Sequence, residues 1–476
     1  MLLYDTLVDA MRRHPETPVG TGARTFGELL DEHAAKRRIL DAEFPGGGAR
    51  MLLAARNYPG YISTLLAILG HGSLPVLADP ALSAPTIDTL TRDCGIDALI
   101  TETSGDAALD ERTGLHRTGF AGPAPATAPG TELCRLTSGS TRTPACIEFS
   151  AEAVLNAATG WAAAVELTPR DRTLCFAGVY NGLAFNTTLI PSLLTGSELV
   201  LPGTLPTGGS MLRHIAASRP SILVAFPAAY ERLAAYPVRD EETRAALAAI
   251  RLRLSSAATL PDAVAARMEE LSGPVCDYYG LAETGPVTVD LVPQRGTHGR
   301  PLPGVLVRMK PRPADGLPVL HVRTASMGTR YLNYPGEFER AIAADGSYIS
   351  ADTGVFTAGR LRLTGRSRPG LEIGGRKFTL ESVADPIRAY PGVADCHVTQ
   401  LTTPSGRACV GALVAADPAV EIAALKTHLR ERLADYQVPE VIVVVPELPR
   451  GSTGKVRAAE ALALLTAVFR SAEEVS

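Results

Sequence analysis

The chain of 476 residues is too long for a single hydrophobic core to be the default, so two or more domains are expected. Hydrophobic residues make up 46% and charged residues 20%, a normal globular balance, and a net charge of −4 argues against the excess of Lys and Arg that a nucleic-acid partner requires. The seven cysteines are odd in number, widely spaced and contain no Cys-x-x-Cys pair, which predicts free thiols in a reducing compartment and neither a disulfide framework nor a zinc site. The start at Met1 has no basic stretch followed by a long apolar run, and no apolar run reaches membrane-spanning length. A soluble cytoplasmic protein with no membrane partner is expected.

In chain order, Thr25 followed by Glu28 predicts a capping box that opens a helix to about Arg38. Met51 to Ala54 reads as a strand, Tyr61 to Leu69 as a helix, Leu74 to Leu77 as a strand, Ile87 to Asp93 as a helix and Asp97 to Ile100 as a strand. Strands that alternate with helices at this spacing predict parallel units in a layered α/β domain. Residues 121–130, rich in Pro, Gly and Ala, read as a surface connector. Beyond them, strands are expected over Asp171–Val179, Glu198–Leu201 and Ser221–Ala225, and helices over Pro206–Arg219 and Thr243–Ile250. The Gly/Arg-rich stretch 360–376 reads as a joint. After it come helix Leu380–Tyr390, strands Val393–Leu401 and Ala408–Ala415, helix Val420–Ala434 and strand Val441–Val445, the pattern of a compact α+β domain with an antiparallel pair.

Four segments carry chemistry. Leu136 to Pro144 packs Thr137, Ser138, Gly139, Ser140 and Thr141 into one loop, whose hydroxyls and backbone N–H groups can wrap phosphate oxygens; it lacks the Gly-Lys-Ser/Thr of a Walker A loop. Tyr278 to Thr284 places aromatic rings and a glycine ahead of the carboxylate Glu283, a donor type that suits Mg²⁺ shared with phosphate oxygens. Asp352-Thr353-Gly354 stands about a dozen residues before Gly365-Arg366; a carboxylate can accept from ribose hydroxyls and a guanidinium can grip phosphate. Pro449 to Lys455 sets one lysine among glycines on a loop near the C-terminus. Singly, each segment also reads as an ordinary turn with solvated side chains. Their order and spacing together are what discriminates.

In that order and spacing the sequence resembles the adenylate-forming superfamily of acyl-CoA synthetases, aryl-acid adenylating enzymes and luciferase-like ligases, over nearly the whole chain. The resemblance implies a large multi-layer α/β N-terminal domain over residues 1–366 and a small mobile α+β C-terminal lid over 367–476. It implies ATP and Mg²⁺ as cofactors, a small carboxylic acid as substrate, and coenzyme A or a separate carrier protein as acceptor. Thr137 to Thr141 is similar to the family's phosphate loop, and Tyr279-Gly280-Leu281-Ala282-Glu283 to its Tyr-Gly-x-Thr-Glu motif, with Ala282 in place of Thr. By that likeness Glu283 holds Mg²⁺, Tyr279, Ala257 and Ala258 lie at the adenine, Gly280 lies beside nucleotide and acid, Asp352 holds the ribose and Arg366 contacts the nucleotide. Lys455 bridges the acid carboxylate and the α-phosphate. Arg368 stands at the hinge position, where Asp or Lys is usual, and Gly374-Gly375 resembles the strip that admits a pantetheine arm. Departures are Arg142 and Ala145, where the phosphate loop has glycine and lysine, and Ser382 in place of a glutamate.

Tyr180 and Asn181 align with the acid pocket of the resemblance. Asn181 is read either as a donor to a substituent of the acid, which suggests an aryl or short unsaturated acid, or as a helix cap. The same superfamily admits a second reading, in which the acceptor is an amine or the activated group is nitrite for diazotisation of an aryl amine.

Overall fold

The computed structural model describes the chain apart from residues 21–23, 104, 138–142, 203–206, 258–259, 295, 312–317, 367–370, 375, 379, 404–405, 418–419, 450–455, 457 and 474–476. The chain divides into two compact units. Met1–Pro80, Thr91–Leu136 and Ala145–Ser367 form the larger; Ala81–Leu90, Thr137–Pro144 and Arg368–Ser476 form the smaller.

In the larger unit, the alternation of short apolar strands with helices produces two sheets. Among the described residues, one has seven strands, with Ala98–Thr101, Arg50–Ala54, Leu74–Leu77 and Thr131–Leu136 side by side and parallel, and Cys146–Ser150 antiparallel at one edge. The other has nine, built around the parallel strands Glu198–Val200, Arg172–Cys175, Ile222–Ala225, Leu252–Ser255 and Val275–Leu281, with Gly285–Val289 returning antiparallel beside the last. Most of the parallel strands, such as Arg50–Ala54, Leu74–Leu77, Ile222–Ala225 and Leu252–Ser255, are buried almost end to end, as strands covered on both faces must be. Phe26, Tyr61, Phe149, Trp161 and Phe185 fill one continuous core, in which the Trp161 ring meets Tyr278 edge-on at 5.7 Å.

The smaller unit has its own core. Val393–Thr402 pairs antiparallel with Ala408–Ala416, which pairs parallel with Val441–Val445. Helices Leu380–Arg388 and Ile422–Arg430 contribute Val383, Ile387, Leu425 and Leu429 to the same core as Val398, Val410 and Ala412. The α/β class, with a large N-terminal and a small C-terminal α+β part, agrees with the sequence.

The capping box forms as expected: Thr25 Oγ1 accepts from Glu28 N at 3.3 Å and the Glu28 carboxylate accepts from Thr25 N at 2.7 Å. The helix runs from Phe26 to Glu43, past the expected end at Arg38. Thr25→Ala is expected to lower the urea midpoint of the larger unit by the equivalent of about 1 kcal/mol; an unchanged midpoint would show that the cap contributes nothing to it. Other expectations need correcting. Asp171–Val179 is a strand only over Arg172–Cys175, because the chain turns into a loop that carries Tyr180. Within 360–376, Arg360–Arg366 is a strand paired with Asp352–Thr357 and Leu371–Ile373 pairs with Arg376–Phe378, and the division between the two units falls inside the stretch, after Ser367. Helices Leu2–Arg12 and Ala151–Ala164 had no sequence expectation. All seven cysteines are free and buried, and no described helix is long and apolar enough to cross a membrane.

Candidate active site

Tyr279 and Gly280 end the strand Val275–Leu281, where its pairing with Gly285–Val289 shifts register between these two residues. Gly280 is required there: a Cβ would stand 2.7 Å from the Gly285 carbonyl oxygen. The irregularity turns the chain toward Glu283. The Tyr279 hydroxyl donates to Asp352 Oδ2 at 2.7 Å, across 73 residues of sequence, and both groups are buried. Asp352 opens its strand, donates its N–H to Ser350 Oγ at 3.0 Å, and lies opposite Arg366 in the ladder. Three of the predicted nucleotide residues thus share one place, the side chain of Arg366 lying outside the description.

Glu283 follows four residues after Tyr279. Its Oε1 accepts from the Tyr331 hydroxyl at 2.8 Å, and Tyr331 in turn meets the Tyr348 hydroxyl at 3.2 Å. Burial, and then the Glu283 charge, push the Tyr331 hydroxyl well above its ordinary range, so it stays a neutral donor. Oε1 is thereby engaged by one donor, and a single carboxylate so oriented suits a cation that takes its remaining ligands from phosphate and water. Among the described residues no group of three or more His, Cys, Asp or Glu is placed to hold a metal. The donor set fits Mg²⁺ carried on a nucleotide rather than a protein cage.

Ala257 has φ of +77°, a left-handed conformation uncommon outside glycine, which concentrates where a backbone must present itself to a ligand. The neighbouring Ala258 lies outside the described residues. So do Ser138, Gly139, Ser140, Thr141 and Lys455; Thr137, directly after strand Thr131–Leu136, is described.

At the acid segment, Asn181 Oδ1 accepts from Leu183 N at 3.0 Å, so the capping alternative is realised and its amide nitrogen is what remains for a ligand. The turn before it is clamped by Asn57, which donates to the Ala177 carbonyl at 2.8 Å and accepts from Val179 N at 2.9 Å. The Tyr180 ring folds back on Gly178, where a Cβ would lie 2.3 Å from it. The helix that follows passes through a π-turn over Phe185–Leu189, the kind of irregularity that recurs at functional sites. The sequence reading missed Asn57 and Tyr331, whose partners lie too far along the chain for spacing to reveal them. It also missed Arg135, which carried a visible signal: one cation inside the apolar strand Leu133-Cys134-Arg135-Leu136.

These features can be set beside known proteins. The fold is that of an o-succinylbenzoate CoA synthetase from Bacillus subtilis, with a TM-score of 0.82 and 19% identity over 96% of this chain and 97% of that one. Residues 8–319 match the AMP-binding enzyme family and residues 383–455 match the AMP-binding enzyme C-terminal domain. The chain therefore belongs to the AMP-binding enzymes, the adenylate-forming superfamily. A feruloyl-CoA synthase of Amycolatopsis is 25% identical over 94% of this chain and 96% of its own length. A methyl-dioxo-octahydroindenyl-propanoyl:CoA ligase of Mycobacterium tuberculosis is 29% identical over 67% of this chain, a match that spans 64% of that relative.

Proposed function

We propose that the enzyme activates a carboxylic acid, an aryl or short unsaturated one, and passes the acyl group to the thiol of coenzyme A or of a separate carrier protein. In the first step a carboxylate oxygen attacks the α-phosphorus of ATP, the bond from that phosphorus to the bridging oxygen breaks, and pyrophosphate leaves. In the second the thiolate attacks the acyl carbon, and AMP leaves with the electron pair of the broken acyl–oxygen bond. The observation that carries this reading is the Tyr279–Asp352 contact, which gathers the aromatic-glycine motif and the ribose carboxylate at one point.

In this reading Asp352 accepts from ribose hydroxyls, Tyr279 and Ala257 border the adenine, Gly280 lies between nucleotide and acid, and Arg366 contacts the nucleotide. Thr137 begins the phosphate loop that Ser138 to Thr141 complete. Tyr331 orients Glu283, which would hold Mg²⁺, and the ion would supply charge to offset that of the leaving pyrophosphate. Tyr180 and Asn181 border the acid, Lys455 completes the site from residues 367–476 acting as a movable lid, and Ala258 joins Ala257 at the base. Two relatives support thioester formation: the feruloyl-CoA synthase and the propanoyl:CoA ligase are both named for acyl-CoA products. A pyrophosphate-exchange screen across aryl, short unsaturated and long-chain acids tests the acid class, and preference for long-chain fatty acids would overturn it. AMP release measured with coenzyme A, with an amine and with nitrite identifies the acceptor; AMP release that depends on either of the last two would overturn the thiol.

A further inference from the structure

Among the described residues, three Lys or Arg side chains are buried: Lys36 at 1% exposure, Arg135 at 5% and Arg253 at 6%. Two are saturated. Lys36 Nζ meets Asp110 at 2.5 Å and Glu32 at 2.9 Å, together with the Gly60 carbonyl and two hydroxyls. Arg253 donates to the carbonyls of Ile250, Ser272 and Pro274 at 2.5–3.0 Å. Arg135 differs. It makes no hydrogen bond or ion pair with the described residues, and its buried Nε has no acceptor. Its guanidinium lies over the rings of Phe149 at 4.5 Å and Phe185 at 5.0 Å, which hold it in place without neutralising it. Burial lowers its pKa to about 10, so the side chain is still a cation at neutral pH.

A cation taken out of water costs several kcal/mol unless something offsets it. Among the described residues, the only carboxylate whose field reaches it is Glu283, outside ion-pair distance and occupied by Tyr331. The direction in which Arg135 points narrows the choice of counter-ion. Its Nη1 lies 3.2 Å from where a Cβ on Gly182 would stand, one residue past Asn181, and Phe185 is the first residue of the π-turn. Tyr278, in the strand Val275–Leu281, also lies within electrostatic reach of Arg135. Arg135 therefore lies beside the acid segment and near the Tyr-Gly-x-x-Glu strand, where the acyl part of the substrate would sit. We propose that Arg135 is a specificity-determining residue that binds a second carboxylate on the acid, so the substrate is a dicarboxylic acid. This rests on the reading of the chain as an acid-activating ligase and makes its substrate class definite.

The test uses matched pairs, crotonate with fumarate and cinnamate with 4-carboxycinnamate, in the pyrophosphate-release assay with the wild type, Arg135→Leu and Arg135→Lys. The wild type is expected to favour the diacid of each pair. Arg135→Leu is expected to shift the diacid-to-monoacid ratio of kcat/KM by about 10²-fold toward the monoacid, the size of effect seen on truncating one partner of a buried charge pair. Arg135→Lys, which keeps the charge but loses the fork, is expected to recover part of that ratio. A wild type that favours monoacids overturns the proposal. So does an Arg135→Leu variant that slows both members equally, since Arg135 would then serve the nucleotide, the reacting carboxylate or the packing alone. If no acid supports pyrophosphate release, the acid-ligase reading fails. Calorimetric titration of fumarate and 4-carboxycinnamate into the full chain then decides Arg135: binding lost in Arg135→Leu supports the diacid site, and binding absent or equal in both proteins overturns it.

Discussion

Replacing Lys455 by Ala is expected to slow adenylate formation by about 10²–10³-fold, the usual effect of removing one preorganised charge from a developing oxyanion. During attack on the α-phosphorus, negative charge gathers on the phosphoryl oxygens and on the departing pyrophosphate. An ammonium placed between the carboxylate and the α-phosphate stabilises that arrangement more than it stabilises bound ATP, and only this difference appears in the rate. Equilibrium binding of ATP is therefore expected to change little. Pyrophosphate exchange measured beside nucleotide binding separates the two quantities, and unchanged exchange would remove Lys455 from the mechanism. The second half-reaction adds a discriminating arm. Supplied with preformed acyl-adenylate, Lys455→Ala is expected to transfer the acyl group to coenzyme A at close to the wild-type rate, because that step breaks no bond at phosphorus. A variant slow in both halves would point to misfolding or to a different role for the loop.

Asp352→Ala is expected to raise KM for ATP by about 10–100-fold, the cost of losing a charged acceptor and leaving its partners unpaired. Two contributions are combined. The ribose hydroxyls lose their carboxylate, and the buried Tyr279 hydroxyl loses an acceptor held at 2.7 Å. Tyr279→Phe removes only the second contribution, so its effect on KM is expected to be smaller. Equal effects from the two variants would mean that Asp352 acts by fixing Tyr279 and not by touching the nucleotide. Asp352→Asn offers a further check, since an amide keeps the shape but replaces one acceptor oxygen by a donor. Its KM is expected to lie near that of the Ala variant. KM for the acid is expected to hold in all three.

The elements and the family were legible because their signals are local. The Thr25–Glu28 box closes over four residues, and the strand-helix alternation from Met51 to Ile100 needs only a window of about a dozen residues to be read. The ends of elements were less legible. The strand ends at Cys175 rather than running on to Val179 because the following loop is bound sideways, Val179 to Asn57 at 2.9 Å, an interaction across 122 residues. The two readings of Asn181 could not be separated in the sequence either, since an amide that caps Leu183 and one that meets a ligand look identical there.

By itself, then, the amino-acid sequence determined the α/β class, the helix start at Phe26, the membership in the adenylate-forming enzymes and the identity of Glu283 and Asp352 as candidate groups, because each depends on residue type at short, regular spacing. Only the tertiary structure decided which of those groups meet, that Tyr279 bonds Asp352 and Tyr331 bonds Glu283, and that Arg135 is buried without an anion among the described residues while Lys36 and Arg253 are saturated. Side-chain pairing over dozens of residues, and the loss of water that makes an unpaired charge costly, are consequences of packing, and periodicity along a chain carries no record of either.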